Sequence, residues 1–212
     1  APPYAIINDS DFLQTLVQRD WISGIAEAIK VALIKDGEFF QKMYQNRHAL
    51  AAFEPEISQN MIVQCAQLHL NHIAQSGDPF ELGSARPLDF GHWSAHKLEE
   101  LSNNELRHGE AVAIGIALDS IYSSLLGHIS ADDGNQIISL LSDLGFELVH
   151  PVLNRLDITN ALADFKEHLG GNLCITLLSD LGEGFEVNYI DETIMIQALE
   201  VLLAYQPGSP CL

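Results

Sequence analysis

A short stretch that carries three of the chain's nine histidines constrains the fold more than any other part of the sequence. His92 and His96 are four residues apart, so on a helix their side chains project from one face. His108 begins a second, apolar run after a polar turn at residues 102–104. Two helices joined by so short a loop pack antiparallel, which can bring His108 beside His92. The stretch therefore predicts a helical hairpin in which the imidazoles meet.

The grouping of these histidines indicates a site for a divalent metal ion. Imidazole suits zinc and related ions, and a catalytic zinc takes three protein ligands and keeps one position for water or substrate. Glycines stand directly before His92 and after His108. The alternative is that all three are ordinary helix histidines with polar or capping roles. We favour the metal site, whose carboxylate ligand has to come from elsewhere in the chain.

The charge of the chain excludes two classes of partner. With 29 acidic and 10 basic residues, the net charge of −19 repels nucleic acid and anionic membranes. A hydrophobic content of 47% is that of a globular protein. No apolar run approaches the length of a membrane span, and three widely spaced cysteines favour a reducing compartment. We therefore expect a cytoplasmic protein in which an anionic substrate has few basic residues to bind.

Hydrophobic periodicity predicts a mainly α protein with one small β-hairpin, as a single domain over residues 1–212. Eight or nine helical segments follow one another between turn residues. Gly37 divides residues 23–45 into two helices, and Ser23 is the predicted cap of the first. The segment 172–190 contains two β-type runs around a glycine-containing loop, which is typical of a hairpin.

An acidic residue in a long apolar helix is a candidate for the missing carboxylate. Glu27 lies in the run GIAEAIK, with Lys30 three residues later on the same helix face. A carboxylate in such a run is costly to bury unless it is paired or coordinates a metal. Alternatively, Glu27 and Lys30 form a surface pair worth on the order of tenths of a kcal/mol. The residues alone leave the two interpretations equal.

Three sequence motifs together resemble the C-terminal, metal-binding domain of dehydroquinate synthase and the related sugar phosphate cyclases. SGIAEAIKVALIKD is similar to the first signature of that family, DFGHWSAHKLE to its GHxxGHxxE signature, and LRHGEAVAIGIAL to its HGEAVxxG signature. The opening AIINDSDFLQTL is similar to the segment that leads into this domain. The resemblance runs nearly end to end, and it implies the helical C-terminal domain of the dehydroquinate synthase-like fold.

The resemblance implies roles for individual side chains. It makes Glu27, His92 and His108 the metal ligands, with Zn2+ as the ion and Co2+ as the alternative. His96 is then the family's second histidine, which contacts substrate. Lys30 is its substrate-binding lysine after the glutamate, and Lys166 is similar to its late lysine. The residues expected to take part in catalysis are His96, Lys30 and Lys166.

The chain departs from dehydroquinate synthases proper around the first histidine. Asp89 stands where those enzymes have an asparagine, and Arg86 lies six residues before His92 instead of seven. The string RPLDFGH is more similar to cyclases that make other cyclitols. We expect Arg86, Asp89 and Lys97 to contact substrate, although Lys97 could instead pair with Glu100 on a solvated helix face. Asp89 could be an additional metal ligand, or it could shift preference away from a carboxylate-bearing substrate.

The resemblance also implies what lies outside this chain. The family holds NAD in an N-terminal Rossmann-like domain, and no GxGxxG turn follows a strand here. We expect this NAD domain to have been removed or to belong to another chain, so that these 212 residues alone are inactive. The whole enzyme is expected to be a homodimer acting on a small phosphorylated sugar or keto acid. Two alternatives remain: the C-terminal domain of an iron-type alcohol or glycerol dehydrogenase, and a non-catalytic helical metal-binding module.

Overall fold

Nine α-helices and one two-stranded sheet make up the described part of a computed structural model, which is residues 4–5, 7–76 and 89–212. The helices are α1 (Gln18–Lys35), α2 (Gly37–Gln45), α3 (Arg47–Ala51), α4 (Pro55–Ser76), α5 (His92–Leu101), α6 (His108–Leu125), α7 (Ala131–Asp143), α8 (Ile158–His168) and α9 (Glu192–Ala204). The strands are β1 (Ile175–Asp180) and β2 (Glu183–Val187), and two 3-10 helices span Ser10–Thr15 and Pro151–Arg155. The predicted mainly α fold with one hairpin is confirmed. Within those described ranges, none of the helices is both long and apolar enough to cross a bilayer.

Helix α6 forms the centre of the fold. Its residues from Ala111 to Ser123 are all buried, and α1, α5, α7 and α9 pack around it. A helix that is apolar on nearly every side is expected in such a central position. Its first residue, His108, is exposed, so the third histidine of the motif lies at the surface end of this buried helix.

Two glycine contacts set how closely α1 and α5 approach α6. A Cβ atom at Gly115 would lie 2.0 Å from the carbonyl oxygen of Gly91, and one at Gly109 would lie 2.0 Å from that of Ser23. Both distances are far below van der Waals contact, so a side chain at either position would push the backbones apart. Gly91 and Gly109 each adjoin one of the histidines in sequence. The contacts therefore bring α1 and α5 to the first two turns of α6, where the histidines lie.

The β-hairpin packs against α1. Its strands pair antiparallel, with Ile175 opposite Val187. The backbone N–H of Gly182, in the turn, donates to the carbonyl of Leu33 at 2.8 Å. All paired residues fall inside the predicted segment 172–190, so the hairpin prediction is confirmed.

One predicted helix start is wrong. Helix α1 begins at Gln18, five residues before Ser23, and Val17 is its N-cap without a side-chain hydrogen bond. Trp21 is buried, so the apolar face of the helix extends back beyond the predicted cap. The predicted break at Gly37, where α2 begins, is confirmed.

Candidate metal and substrate site

Three helices bring one ligand each to a common point. Glu27 comes from α1, His92 from the start of α5 and His108 from the start of α6, and their ligand atoms all lie within 4.8 Å of one another. The Oε1 atom of Glu27 is 3.6 Å from Nε2 of His92 and 3.4 Å from Nε2 of His108. The structure thus brings together the three residues that the resemblance assigns to a metal.

The separation of these atoms suits a tetrahedral metal ion. Two ligand atoms that each lie about 2.1 Å from a tetrahedral zinc are roughly 3.4 Å apart, and the measured separations from Glu27 are 3.4 and 3.6 Å. The Oε1 atom of Glu27 is buried, and none of the described residues donates a hydrogen bond to it. A buried carboxylate oxygen is unfavourable in such surroundings unless a cation faces it. Two imidazoles and this carboxylate therefore fit a divalent ion.

The second oxygen of Glu27 is held by a buried lysine. Lys30 Nζ lies 2.5 Å from Glu27 Oε2, and the Lys30 side chain is 7% exposed. The Glu27–Lys30 pair considered in the sequence analysis is present, but its lysine lies in the interior and not on the surface. Because Lys30 occupies Oε2, Oε1 is left to face the two imidazoles.

The charges in the site are set by these contacts. Burial opposes the ionised form of Glu27, but the imidazole of His108 and the ammonium of Lys30 outweigh it and lower its pKa to about 2. Glu27 raises the pKa of His108 to about 9, against partial burial and with help from Glu99. His92 behaves oppositely, since burial and the charge of Lys30 lower its pKa. In the absence of metal, the neutral-pH site thus holds a carboxylate, an imidazolium at His108 and a neutral imidazole at His92.

Each ligand histidine is oriented by an acceptor behind its ring. Nδ1 of His92 lies 3.1 Å from the carbonyl oxygen of Phe90, and Nδ1 of His108 lies 3.1 Å from Oε2 of Glu99. These oxygens can only accept, so each Nδ1 carries a proton. Loss of the Nε2 proton from His108 would then leave both rings neutral, with the Nε2 lone pair of each on the side of Glu27. Such partners fix ring orientation and raise ligand basicity. Glu99 ends the motif GHWSAHKLE, but its contact with His108 depends on the turn between α5 and α6, which the motif does not show.

One further histidine borders the candidate ligand histidines, and another borders that one. His96 is exposed, and its ring centre lies 5.9 Å from that of His92, 6.2 Å from that of His108 and 6.1 Å from that of His168. His168, the last residue of α8, is also exposed. None of the sequence motifs predicts a role for His168. It follows His108 by 60 residues, so only the packing of α8 against α5 brings it to the site.

Two lysines with predicted substrate roles, Lys97 and Lys166, differ in their surroundings. Lys97 donates to Glu100 and to Asp164, each at 2.9 Å, so the alternative pairing with Glu100 is present and Asp164 ties α8 to α5. Lys166 is exposed on α8, two residues before His168. Side chains two residues apart leave a helix in roughly opposite directions, whereas those four apart share a face. Helix α8 therefore turns Asp164 and His168 toward α5, and Lys166 leaves it on another side.

The two remaining substrate candidates precede α5. Asp89 is half-buried, and its charge favours the protonated form of His92, although burial and Lys30 have a larger opposite effect. The converging ligand set found among the described residues does not include Asp89. Arg86 lies outside the described residues.

Comparison with known sequences identifies the family. A model of the family described as 3-dehydroquinate synthase C-terminal matches residues 24–168, which is more than half of the chain. A 3-dehydroquinate synthase of Dichelobacter nodosus (strain VCS1703A) is 36% identical over 194 residues, covering 91% of this chain and 52% of that protein. The chain thus spans about half the length of the curated relatives that it matches.

Comparison with solved structures finds proteins whose fold is similar to that of this chain. A 2-epi-5-epi-valiolone synthase from Streptomyces hygroscopicus subsp. jinggangensis 5008, solved with NAD+ and Zn2+ bound, has a TM-score of 0.83 at 29% identity and covers 92% of this chain and 54% of its own. A 2-deoxy-scyllo-inosose synthase complexed with carbaglucose-6-phosphate, NAD+ and Co2+ has a TM-score of 0.70, covering 90% of this chain and 55% of its own. Its identity of 18% limits that likeness to the fold. By the family match, the chain belongs to the 3-dehydroquinate synthase C-terminal family.

Proposed function

We propose that this chain is the metal- and substrate-binding half of a sugar phosphate cyclase related to 3-dehydroquinate synthase. The observation that supports this most is the Oε1 atom of Glu27, which is buried and lies 3.4 and 3.6 Å from two imidazole nitrogens. Glu27, His92 and His108 would hold the ion, with Zn2+ as the first candidate and Co2+ as the alternative. The Streptomyces synthase, at 29% identity, has Zn2+ and NAD+ bound, which supports the same cofactors in the whole protein.

The chain's own residues prepare the position of the ion. When bound, a divalent ion would supply a Lewis acid that polarises adjacent hydroxyl groups of the substrate. Lys30 keeps Glu27 ionised, while Glu99 and the carbonyl of Phe90 hold the two imidazoles by their Nδ1 atoms. Because these partners are already in place, the three ligand atoms are oriented before substrate binds.

The exposed side of the site would meet the substrate. His96 stands beside the ligand histidines and would hold or accept a proton from the substrate, since imidazole changes charge near neutral pH. By the family resemblance, Lys166 would provide positive charge for a phosphate group, and because it leaves α8 on a different side from His168, this contact requires the substrate to extend beyond the histidine group. Lys30 contributes its charge from behind Glu27. These are the three residues, His96, Lys166 and Lys30, to which we assign catalytic roles.

The residues before and after His92 bear on substrate choice. Arg86 would bind an anionic group of the substrate, in a chain with only 10 basic residues. A negative charge at Asp89 would repel a carboxylate, which favours a sugar phosphate that lacks one. Lys97 already donates to two carboxylates, so a substrate contact there requires those ion pairs to open.

The complete reaction requires a second part of the protein. By resemblance, an N-terminal domain outside this chain holds NAD, and residues 1–212 act as one domain of a homodimeric lyase. NAD, when bound there, would supply the transient oxidation of a substrate hydroxyl and the matching reduction of the ketone, and between and after these the substrate would lose phosphate and close its ring by intramolecular aldol addition. The reaction consumes no NAD overall, and the chain alone gives no turnover.

Phosphate release by the full-length protein tests this function against a simple dehydrogenase. The protein would be supplied with NAD and, separately, with a phosphorylated seven-carbon keto acid and a ketose phosphate that lacks the carboxylate. We expect phosphate release without accumulation of NADH, faster with the second compound and lost in His92→Ala. His69→Ala, at an exposed position of α4, is the control that keeps the wild-type rate. Accumulation of NADH without phosphate release would indicate an alcohol dehydrogenase and refute the proposal.

A further inference from the structure

A buried carboxylate outside the ligand set contacts the residues on both sides of His92. Asp119 lies in α6 at 0% exposure. Its Oδ2 accepts from the backbone N–H of Gly91 at 3.0 Å, and its Oδ1 accepts from the indole N–H of Trp93 at 2.8 Å. We propose that Asp119 is a positioning residue, which directs the imidazole of His92 toward the metal by fixing the residues before and after it. The inference rests on the proposed metal site.

The surroundings of Asp119 make its two hydrogen bonds strong constraints. It lies on the buried, mostly apolar helix α6, where a carboxylate without hydrogen-bond partners would be strongly destabilising. Each carboxylate oxygen has one donor, and both donors belong to the start of α5. Asp119 therefore links α6 to α5 at two points, and His92 is the single residue between them.

The first of these points has almost no freedom to move. Gly91 has a φ of +77°, and a Cβ atom there would lie 2.7 Å from the backbone nitrogen of Ile116. Its carbonyl oxygen accepts from the N–H of Ala95 at 3.3 Å, as part of the first turn of α5. Its own N–H is buried, and without Asp119 this donor would lose its partner. The carboxylate thus holds the backbone at the point where α5 starts.

The direction of the His92 ring follows from these contacts. The hydrogen bond from its Nδ1 to the carbonyl of Phe90 sets the rotation of the ring, while Asp119 holds the backbone from which the ring projects. Together they aim Nε2 at Oε1 of Glu27, 3.6 Å away. A binding group must be held to within roughly 0.5 Å to be effective. A small shift of the α5 start would therefore weaken metal binding before it unfolds the chain.

Measuring both the metal affinity and the stability of each variant distinguishes a positioning role of Asp119 from a purely structural one. Asp119→Leu replaces the carboxylate by an apolar group of similar size and leaves the N–H groups of Gly91 and Trp93 without their acceptor, so we expect it to lower stability as well. Asp119→Asn keeps one side-chain oxygen as an acceptor for one of the two N–H groups. Ser123→Ala is the control, because this buried hydroxyl on the same helix bonds to the carbonyl of Asp119 and the N–H of Leu178 and not to α5. Each chain would be titrated with Co2+, whose visible spectrum reports ligand geometry, and unfolded with urea.

We expect both Asp119 variants to bind Co2+ about 10- to 100-fold more weakly than the wild type and with an altered spectrum, whereas Ser123→Ala binds normally even where it loses stability. Trp93→Phe removes one of the two donors to Asp119 and should lower the Co2+ affinity by a smaller factor. If neither Asp119 variant folds, this variant decides whether the contacts of Asp119 position His92. Wild-type affinity and spectrum in the folded variants would overturn the positioning role and leave the metal site intact. A wild-type chain that binds no Co2+ would overturn the metal site, and this inference with it.

Discussion

The histidine site has two sides that differ in how firmly the fold holds them. The inner group consists of the three proposed ligands and the buried lysine beside them, which are Glu27, His92, His108 and Lys30. The outer group consists of His96 and His168. In the inner group, Lys30 is 6% and His92 is 9% exposed, and each imidazole or ammonium group has a fixed partner, which is Glu27 for Lys30, the carbonyl of Phe90 for His92 and Glu99 for the exposed His108. Both side chains of the outer group are exposed.

This difference separates two tasks. The packing of α1, α5 and α6 sets the relative positions of the three proposed ligands within the chain. The outer group has ring contacts, and no hydrogen bond from its side chains is found among the described residues, so its geometry can adjust to a substrate or to another part of the protein. Changes to the inner group should therefore alter metal affinity, and changes to the outer group should alter substrate binding and turnover without altering metal affinity.

Acidification should produce the largest change in the inner group. Glu27 raises the pKa of His108 to about 9, so below that pH a metal must displace a proton from this ring. Metal affinity should accordingly fall about tenfold for each pH unit below about 9, or about 100-fold from pH 8.5 to 6.5. Because the pKa of His92 is lowered, metal binding should not have to displace a second proton from that ring. Co2+ titration against a chelator of known pH dependence measures the slope, and a flat profile would contradict the assignment of His108.

Removal of the charge behind His108 should have a smaller effect. Glu99→Gln keeps the shape of the side chain that accepts from Nδ1 of His108, but it makes the ligand less basic. We expect metal affinity to fall about tenfold. Glu100→Gln is the matched control, because the neighbouring carboxylate is exposed and pairs with Lys97 instead. Equal losses in the two variants would mean that general charge, and not the contact with His108, sets the affinity.

Truncation of the outer group should have the smallest effect on the metal. His168→Ala is expected to leave Co2+ affinity within about twofold, because the ring borders His96 and not the ligands, and to change the free energy of unfolding by less than about 0.5 kcal/mol. In the full-length protein it should raise KM for the phosphorylated substrate several-fold. His128→Ala, at an exposed position beyond α6, serves as the control. A clear loss of Co2+ affinity would instead place His168 in the inner group.

The sequence predicts the local structure well and the distant contacts poorly. Periodicity and turn residues are local properties, so the break at Gly37 and the hairpin at 172–190 were both predicted. The meeting of Glu27 with His92 depends on close contacts between backbones, such as that of Gly91, whose partners no spacing rule supplies. Only the family resemblance placed Glu27 among the ligands.

Three features that the sequence does not predict also depend on contacts between distant residues. Asp119 is visible as a charged residue in the apolar run IALDSIY, but its donors lie on another helix. His168 shares a helix face with Asp164, and this pair becomes informative only when α8 is known to pack against α5. The cap predicted at Ser23 failed because the burial of Trp21 extends the helix backward.

The most direct test of the shared metal site is the metal content of four purified chains after equilibration with Zn2+: wild type, Glu27→Ala, His92→Ala and the control His69→Ala. We expect one ion per chain in the wild type and the control, and loss of the ion in both ligand variants. Glu27 and His92 lie on different helices, so joint loss would show that they share one ion. Retention of the ion by Glu27→Ala would contradict the central claim, because the histidines would then bind metal without the carboxylate.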